Sequence, residues 1–144
     1  MMRIRPNKET DIDTMVEIWY EGSAAAHHFI DKAYWTSQRE EMKNTYLPMA
    51  ESYVICKDAE IVGFVSMVDS YLAALFIDLT HQGKGHGREL LDFIKARYKH
   101  IQLKAYKKNH QAVQFYLKNG FMIKEEKVDE NTKEVECVME WQKA

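Results

Sequence analysis

The chain has 144 residues, enough for one domain that buries about two-thirds of the surface its unfolded form exposes. Hydrophobic residues make up 46% and charged residues 29%, ordinary for a globular domain, and the formal net charge of −2 argues against a general nucleic-acid binder. No stretch approaches the roughly 20 apolar residues of a membrane span, and the first residues lack the apolar core of a signal peptide. The expectation is a single cytoplasmic domain over 1–144, without membrane or nucleic-acid partners, as a monomer or homodimer. Cys56 and Cys137 stand far apart with no paired spacing, which reads as two free thiols.

The predicted elements follow in chain order. MRIRP opens as a strand ended by Pro6. Thr10 is placed as an N-cap with Asp13 three residues on, and Ile12, Met15, Val16 and Trp19 recur at helical spacing. A second helix is predicted from Asp31 to Tyr46, stopping before Pro48. SYVICK and IVGFVSMVD read as strands around a KDAE turn, and LAALFIDLT as the next strand. After a glycine-rich loop, Leu90, Leu91, Ile94 and Tyr98 mark the apolar stripe of a helix. IQLKAY is a strand, NHQAVQFYLKN a short helix closed by Gly120 in the left-handed region, and FMIKEEKV and EVECVMEW a final hairpin around DENTK. The helix between LAALFIDLT and IQLKAY makes those strands parallel, with a right-handed crossover.

The junction HQGKGHG, residues 81–87, is the most informative segment. Gly83, Gly85 and Gly87 let the backbone turn sharply and approach a ligand closely. Their N–H groups converge where a helix starts, and the helix dipole adds positive charge there, as phosphate binding requires. Lys84, His86 and Arg88 interleave with them. The other reading is a plain connecting turn. The segment is neither a dinucleotide fingerprint nor a P-loop, because Arg88 stands where the former needs its last glycine and no Lys-Ser or Lys-Thr pair follows.

Gln82, Gly85 and Gly87 fit Q-x-x-G-x-G, between a strand and a helix, which resembles the acyl-CoA loop of the GNAT (Gcn5-related) N-acetyltransferases. Residues 109–121, NHQAVQFYLKNGF, resemble the family's N-x-x-A-x-x-x-Y-x-x-x-G-F signature, and the resemblance spans essentially the whole chain. It implies an α/β (α+β) fold: a mixed, mostly antiparallel sheet of about seven strands, helices on both faces, and a parallel pair that splays to admit the pantetheine arm. It further implies that the backbone around Asp78, at Ile77 and Leu79, pairs with the acyl and pantetheine amides. Gln82 to Arg88 would hold the pyrophosphate, and Asn109, Ala112 and Tyr116 would face the cofactor. Many members carry proline where this chain has Leu79.

Asn109 is also a natural N-cap, and Asn109 and Tyr116 lie within about 20° of each other around an α-helix. The implied chemistry is direct acetyl transfer from acetyl-CoA to a primary amine on a small molecule, peptide or protein, with Tyr116 as general acid toward the leaving thiolate. Trp19, Ser23 and His27 recur at four-residue spacing and so share a helix face, a candidate acceptor wall together with Tyr46. His27 is either the general base or relay or a hydrogen-bonded histidine at a helix end. Lys104, Lys107, Lys108 and His110 are solvated surface or a contact for the 3′-phosphate. No Cys/His spacing suggests a metal. A non-catalytic acyl-CoA-binding regulatory module would keep the loop without requiring Tyr116.

Overall fold

The structure, a computed structural model, describes residues 2–144. Seven strands form one sheet in the order β1-β2-β3-β4-β5-β7-β6. They are β1 (Met2–Pro6), β2 (Glu51–Lys57), β3 (Glu60–Val68), β4 (Tyr71–Ile77), β5 (His100–Tyr106), β6 (Met122–Val128) and β7 (Val135–Gln142). The helices are α1 (Ile12–Ala26), α2 (Lys32–Ser37), α3 (Arg39–Glu41), α4 (Leu47–Met49), α5 (His86–Lys95) and α6 (His110–Lys118). Neighbouring strands run antiparallel except β4 and β5, which are parallel.

Alternation along the strands sends side chains into two apolar layers. Ile55, Val62, Val65 and Leu72 pack with Leu90, Leu91 and Ile94 of α5 and Val113 and Tyr116 of α6. Val54, Cys56, Phe64 and Ala74 pack on the other face with Met15, Trp19 and Trp35. Leu72 and Ala74, two residues apart, therefore point to opposite faces, which a regular strand forbids. The cause is a β-bulge: Met67 pairs with Leu72 but Ser66 pairs with Ala74, leaving Ala73 as the extra residue.

Several local expectations change. Thr10 does not cap α1. It lies inside a 3₁₀ turn, Glu9–Asp11, whose Asp11 accepts the Lys8 N–H at 2.7 Å and pairs with Arg5 at 2.8 Å. That pairing occupies the carboxylate, so Asp11 sits at the N-cap of α1 without a side-chain cap bond. Asp31 does cap α2, accepting from the Ala33 N–H at 2.9 Å. The helical path beyond it is not one regular helix and does not stop before Pro48. A π-turn, Met42–Tyr46, widens the backbone, and Pro48 follows inside α4. Proline clashes with the carbonyl four residues earlier in a regular α-helix, and a wider turn relieves that clash. Tyr98 falls beyond the end of α5 but still packs against the core. Asn109 and Gly120 act as expected, Asn109 as N-cap of α6 and Gly120 at φ +91° beyond its end.

Gly63 pairs with Ile77 at the end of β4, and a Cβ there would lie 2.8 Å from the Phe76 carbonyl oxygen and 2.5 Å from Ile77 Cδ1. Gly22 in α1 faces only the Phe76 ring, at 2.7 Å. Gly63→Ala is expected to destabilise by about 1–3 kcal/mol through overpacking. Gly22→Ala should cost less, because helix propensity returns up to about 1 kcal/mol. Urea unfolding of both variants checks the order; equal or reversed losses would contradict it.

Candidate active site

The centre of the site is a gap in the sheet. β4 and β5 share one register pair, Tyr71 with Gln102, and diverge beyond it. Before the bulge, the Ser70 carbonyl turns toward β5 and accepts the Gln102 N–H at 3.0 Å. After it, Asp78 N–H donates to Val62 of β3 at 2.8 Å, so backbone alternation turns Leu75 and Ile77 toward the gap. The bulge thus aims the Leu75 and Ile77 amides at open space between two strands.

The glycine loop closes one end of this gap. Asp78 ends the strand and caps a 3₁₀ turn, Leu79–His81. Leu79 therefore does not extend β4, a correction to the expected pairing edge, and is 42% exposed. Asp78 is committed as well: Thr80 and His81 donate to its carboxylate, which holds its pKa below the ordinary value. Gln82 reaches back and donates from Nε2 to the Ile77 carbonyl at 3.2 Å. Gly83 and Gly85 have φ of +76° and +85°, and no atom lies within 4 Å of where a Cβ would stand. The Glu89 N–H closes the first turn of α5 on the Gly85 carbonyl, so the N–H groups of His86, Gly87 and Arg88 have no acceptor within the helix. The result is an open cradle of backbone donors, which fits an anionic phosphate group. Lys84 and Arg88 are exposed beside it, whereas His86 is buried with Nδ1 on Glu89 at 3.2 Å.

Tyr116 comes from α6 on the α5 side of the sheet. It is buried among Phe115 and Phe121, and burial followed by the neighbouring Tyr71 pushes its pKa up. A phenol so placed stays protonated. Asn109 Oδ1 accepts the Ala112 N–H at 3.2 Å, while its Nδ2 donates to His27 Nε2, also at 3.2 Å.

His27 sits at the C-cap of α1, boxed by the rings of Phe29, Trp35 and Tyr106 at 5.0–5.7 Å between centroids. Burial pushes its pKa down to about 4; the Ser23 carbonyl pulls weakly the other way, although Nδ1 makes no hydrogen bond of regular geometry. It is a neutral imidazole at pH 7, with Nε2 as acceptor. Trp19 and Tyr46 line a cavity of about 370 Å³ with Tyr34, Trp35 and Tyr71, but Ser23 and His27 do not reach its wall. Sequence reasoning missed Tyr34, Trp35 and Tyr71, which the fold brings together from α2 and β4. Lys107 and Lys108 pair with Glu126 and Glu134. Among the described residues, no group of three His, Cys, Asp or Glu side chains could hold a metal ion, and no helix is long and apolar enough to cross a membrane.

A family model described as acetyltransferase (GNAT) domain matches residues 15–139. The chain is 30% identical over 139 residues to the peptidyl-lysine N-acetyltransferase YiaC of Escherichia coli (strain K12), covering 96% of this chain and 95% of that protein. The solution structure of apo YjaB from Escherichia coli superposes with a TM-score of 0.88 at 26% identity, covering 100% of this chain and 99% of that one. The PaiA N-acetyltransferase from Thermoplasma acidophilum, solved with coenzyme A, shares the fold with a TM-score of 0.83 at 20% identity, covering 99% of each chain. This chain belongs to the GNAT family, and it is an acetyltransferase.

The depressed His27 pKa makes stability depend on pH. The unfolded chain takes up the proton near pH 6.5, the folded one only near 4. Stability present above 6.5 is therefore lost as the pH falls toward 4, by an amount on the order of 3 kcal/mol. Chemical denaturation from pH 7 to 4 should show this loss, and His27→Gln should flatten it. An equally steep loss in the variant would place its origin elsewhere.

Proposed function

We propose that the protein transfers an acetyl group from acetyl-CoA directly to a primary amine, with both bound together, and that the amine is a peptidyl lysine. The observation that carries this reading is the gap between β4 and β5. It has gap-facing amides at Leu75 and Ile77, an open glycine cradle at one end and the buried hydroxyl-bearing Tyr116 beside it. The acceptor class is supported by the name of the relative YiaC, matched over nearly its full length.

Acetyl-CoA, when bound, supplies the thioester that is cleaved. The donors at Gly83 to Arg88 would hold its pyrophosphate, and the Ile77 N–H would stabilise negative charge on the acyl oxygen. Tyr116 would give its proton to the departing sulfur and would be reprotonated by the proton that the acylated nitrogen loses. Both cysteines are buried within the core layers, so neither offers an accessible thiol for a covalent acetyl-enzyme. We assign His27 a positioning role: its Nε2 accepts from Asn109, which caps the helix that carries Tyr116. A histidine with a pKa near 4 is a weak base at neutral pH, which favours this role over general base.

Initial rates with acetyl-CoA and a lysine-containing peptide test the reading. Intersecting double-reciprocal lines are expected, and parallel lines would contradict direct transfer. Acetyl-CoA binding without turnover would leave a non-catalytic acyl-CoA-binding module. Tyr116→Phe should keep acetyl-CoA affinity and lower kcat by roughly 10²-fold, the lower end for general-acid assistance, because a thiolate leaves readily. Parental kcat in that variant would reduce Tyr116 to packing.

A further inference from the structure

The cavity of about 370 Å³ has no charged residue in its wall, which is built from rings and aliphatic side chains such as Trp19, Tyr34, Trp35, Leu47 and Tyr71. Its uncharged polar wall residues besides the tyrosines are Gln38, Ser66 and Asn131, and Ser66 already bonds Ser52 at 2.6 Å. Two carboxylates stand close by. Asp129, in the turn after β6, is fully engaged by Tyr106 Oη at 2.7 Å, the Asn131 N–H at 3.0 Å and Thr132 Oγ1 at 3.1 Å. Glu136 differs. It pairs across the sheet with Tyr106, so both side chains enter the same layer, where Tyr106 packs beside Trp35. It is near enough to act electrostatically on Tyr34 and Tyr71, both in the cavity wall. Its carboxylate makes no hydrogen bond or ion pair with the described residues.

An uncharged aromatic chamber beside an unpaired carboxylate has the chemistry of a receptor for an alkylammonium. Apolar walls cover the methylene stem, ring faces attract the cation, and the carboxylate selects the charge. The geometry points to Glu136 as the specificity-determining residue of the acceptor site, receiving the ammonium of a lysine-like side chain laid along Tyr34 and Tyr71. This assignment rests on the transferase reading above and names its acceptor determinant.

The surrounding charges agree with that role. Burial and Asp129 push the Glu136 carboxyl up from its ordinary range, while Lys104 opposes them. Tyr34, Tyr71 and Tyr106, which also act on this region, are neutral phenols with raised pKa values. A carboxylate disfavoured as an anion in the free protein gains from a cation brought against it.

Binding can be measured separately from transfer by titrating Nα-acetyl-lysine amide and its norleucine counterpart, following the fluorescence of Trp19 and Trp35. The parent should bind the lysine probe more tightly than norleucine. Glu136→Gln should weaken the lysine probe about ten- to a hundred-fold, as expected for losing a charged hydrogen bond, while norleucine and acetyl-CoA binding stay unchanged. Retained acetyl-CoA affinity also reports an intact fold. Equal lysine affinity in both proteins, or no preference for lysine over norleucine in the parent, would overturn the assignment. Glu136-dependent lysine binding without acetyl transfer would instead refute the transferase reading and leave the cation site standing.

Discussion

β4 and β5 are parallel neighbours that meet at Tyr71 and Gln102 and then separate, and the rest of the site follows from that separation. Buried backbone amides normally find partners, so two strand edges left facing one another across a gap form a place for an extended ligand to add hydrogen bonds. The bulge at Ala73 fixes which amides face it. Were Ala73 held in regular alternation instead of a bulge, Ala74 and Phe76 would turn toward β5, and Ile77 would turn toward β3. The same bulge reverses the side chains, sending Leu75 and Ile77 to the α5 layer and Phe76 to the α1 layer. Gly63 makes the close approach at Ile77 possible.

Two layers on opposite faces of the sheet have to agree on the geometry of this gap. Tyr116 belongs to the layer with α5, while His27, Trp19 and Trp35 belong to the layer with α1. The bond between Asn109 and His27 joins them at the end of β5. It works only with an unprotonated Nε2, and desolvation in a box of aromatic rings keeps the imidazole in that state. Burial of a titratable group, which costs stability in acid, here keeps the hydrogen bond to Asn109, the cap of the helix that carries Tyr116.

What could be read in the sequence was what local chemistry decides. The glycines at 83 and 85, the cap at Asn109, the left-handed Gly120 and the parallel pairing of the strands joined by α5 each depend on a few adjacent residues, and each is found as expected. The errors came from side-chain hydrogen bonds that compete with the regular pattern or from rare backbone forms. Thr10 loses its cap role because Arg5 and Lys8 engage Asp11. Pro48 does not end the helical path because a π-turn widens ahead of it. Leu79 leaves the strand because Asp78 finds capping partners in Thr80 and His81. Glu136 drew no attention as one acid among charged strand residues. Its unpaired state and its neighbours emerge only when β7 is set beside β5.

In the proposed complex, the gap and the glycine cradle together receive the acetyl donor. Amide hydrogen exchange at single-residue resolution, with and without acetyl-CoA, tests it most directly. Slowed exchange is expected at Leu75 and Ile77 and at His86, Gly87 and Arg88, with Asp78 unchanged because its N–H is already bonded to Val62. Saturating acetyl-CoA that left those amides at their free rates, or protected another face of the sheet, would contradict it.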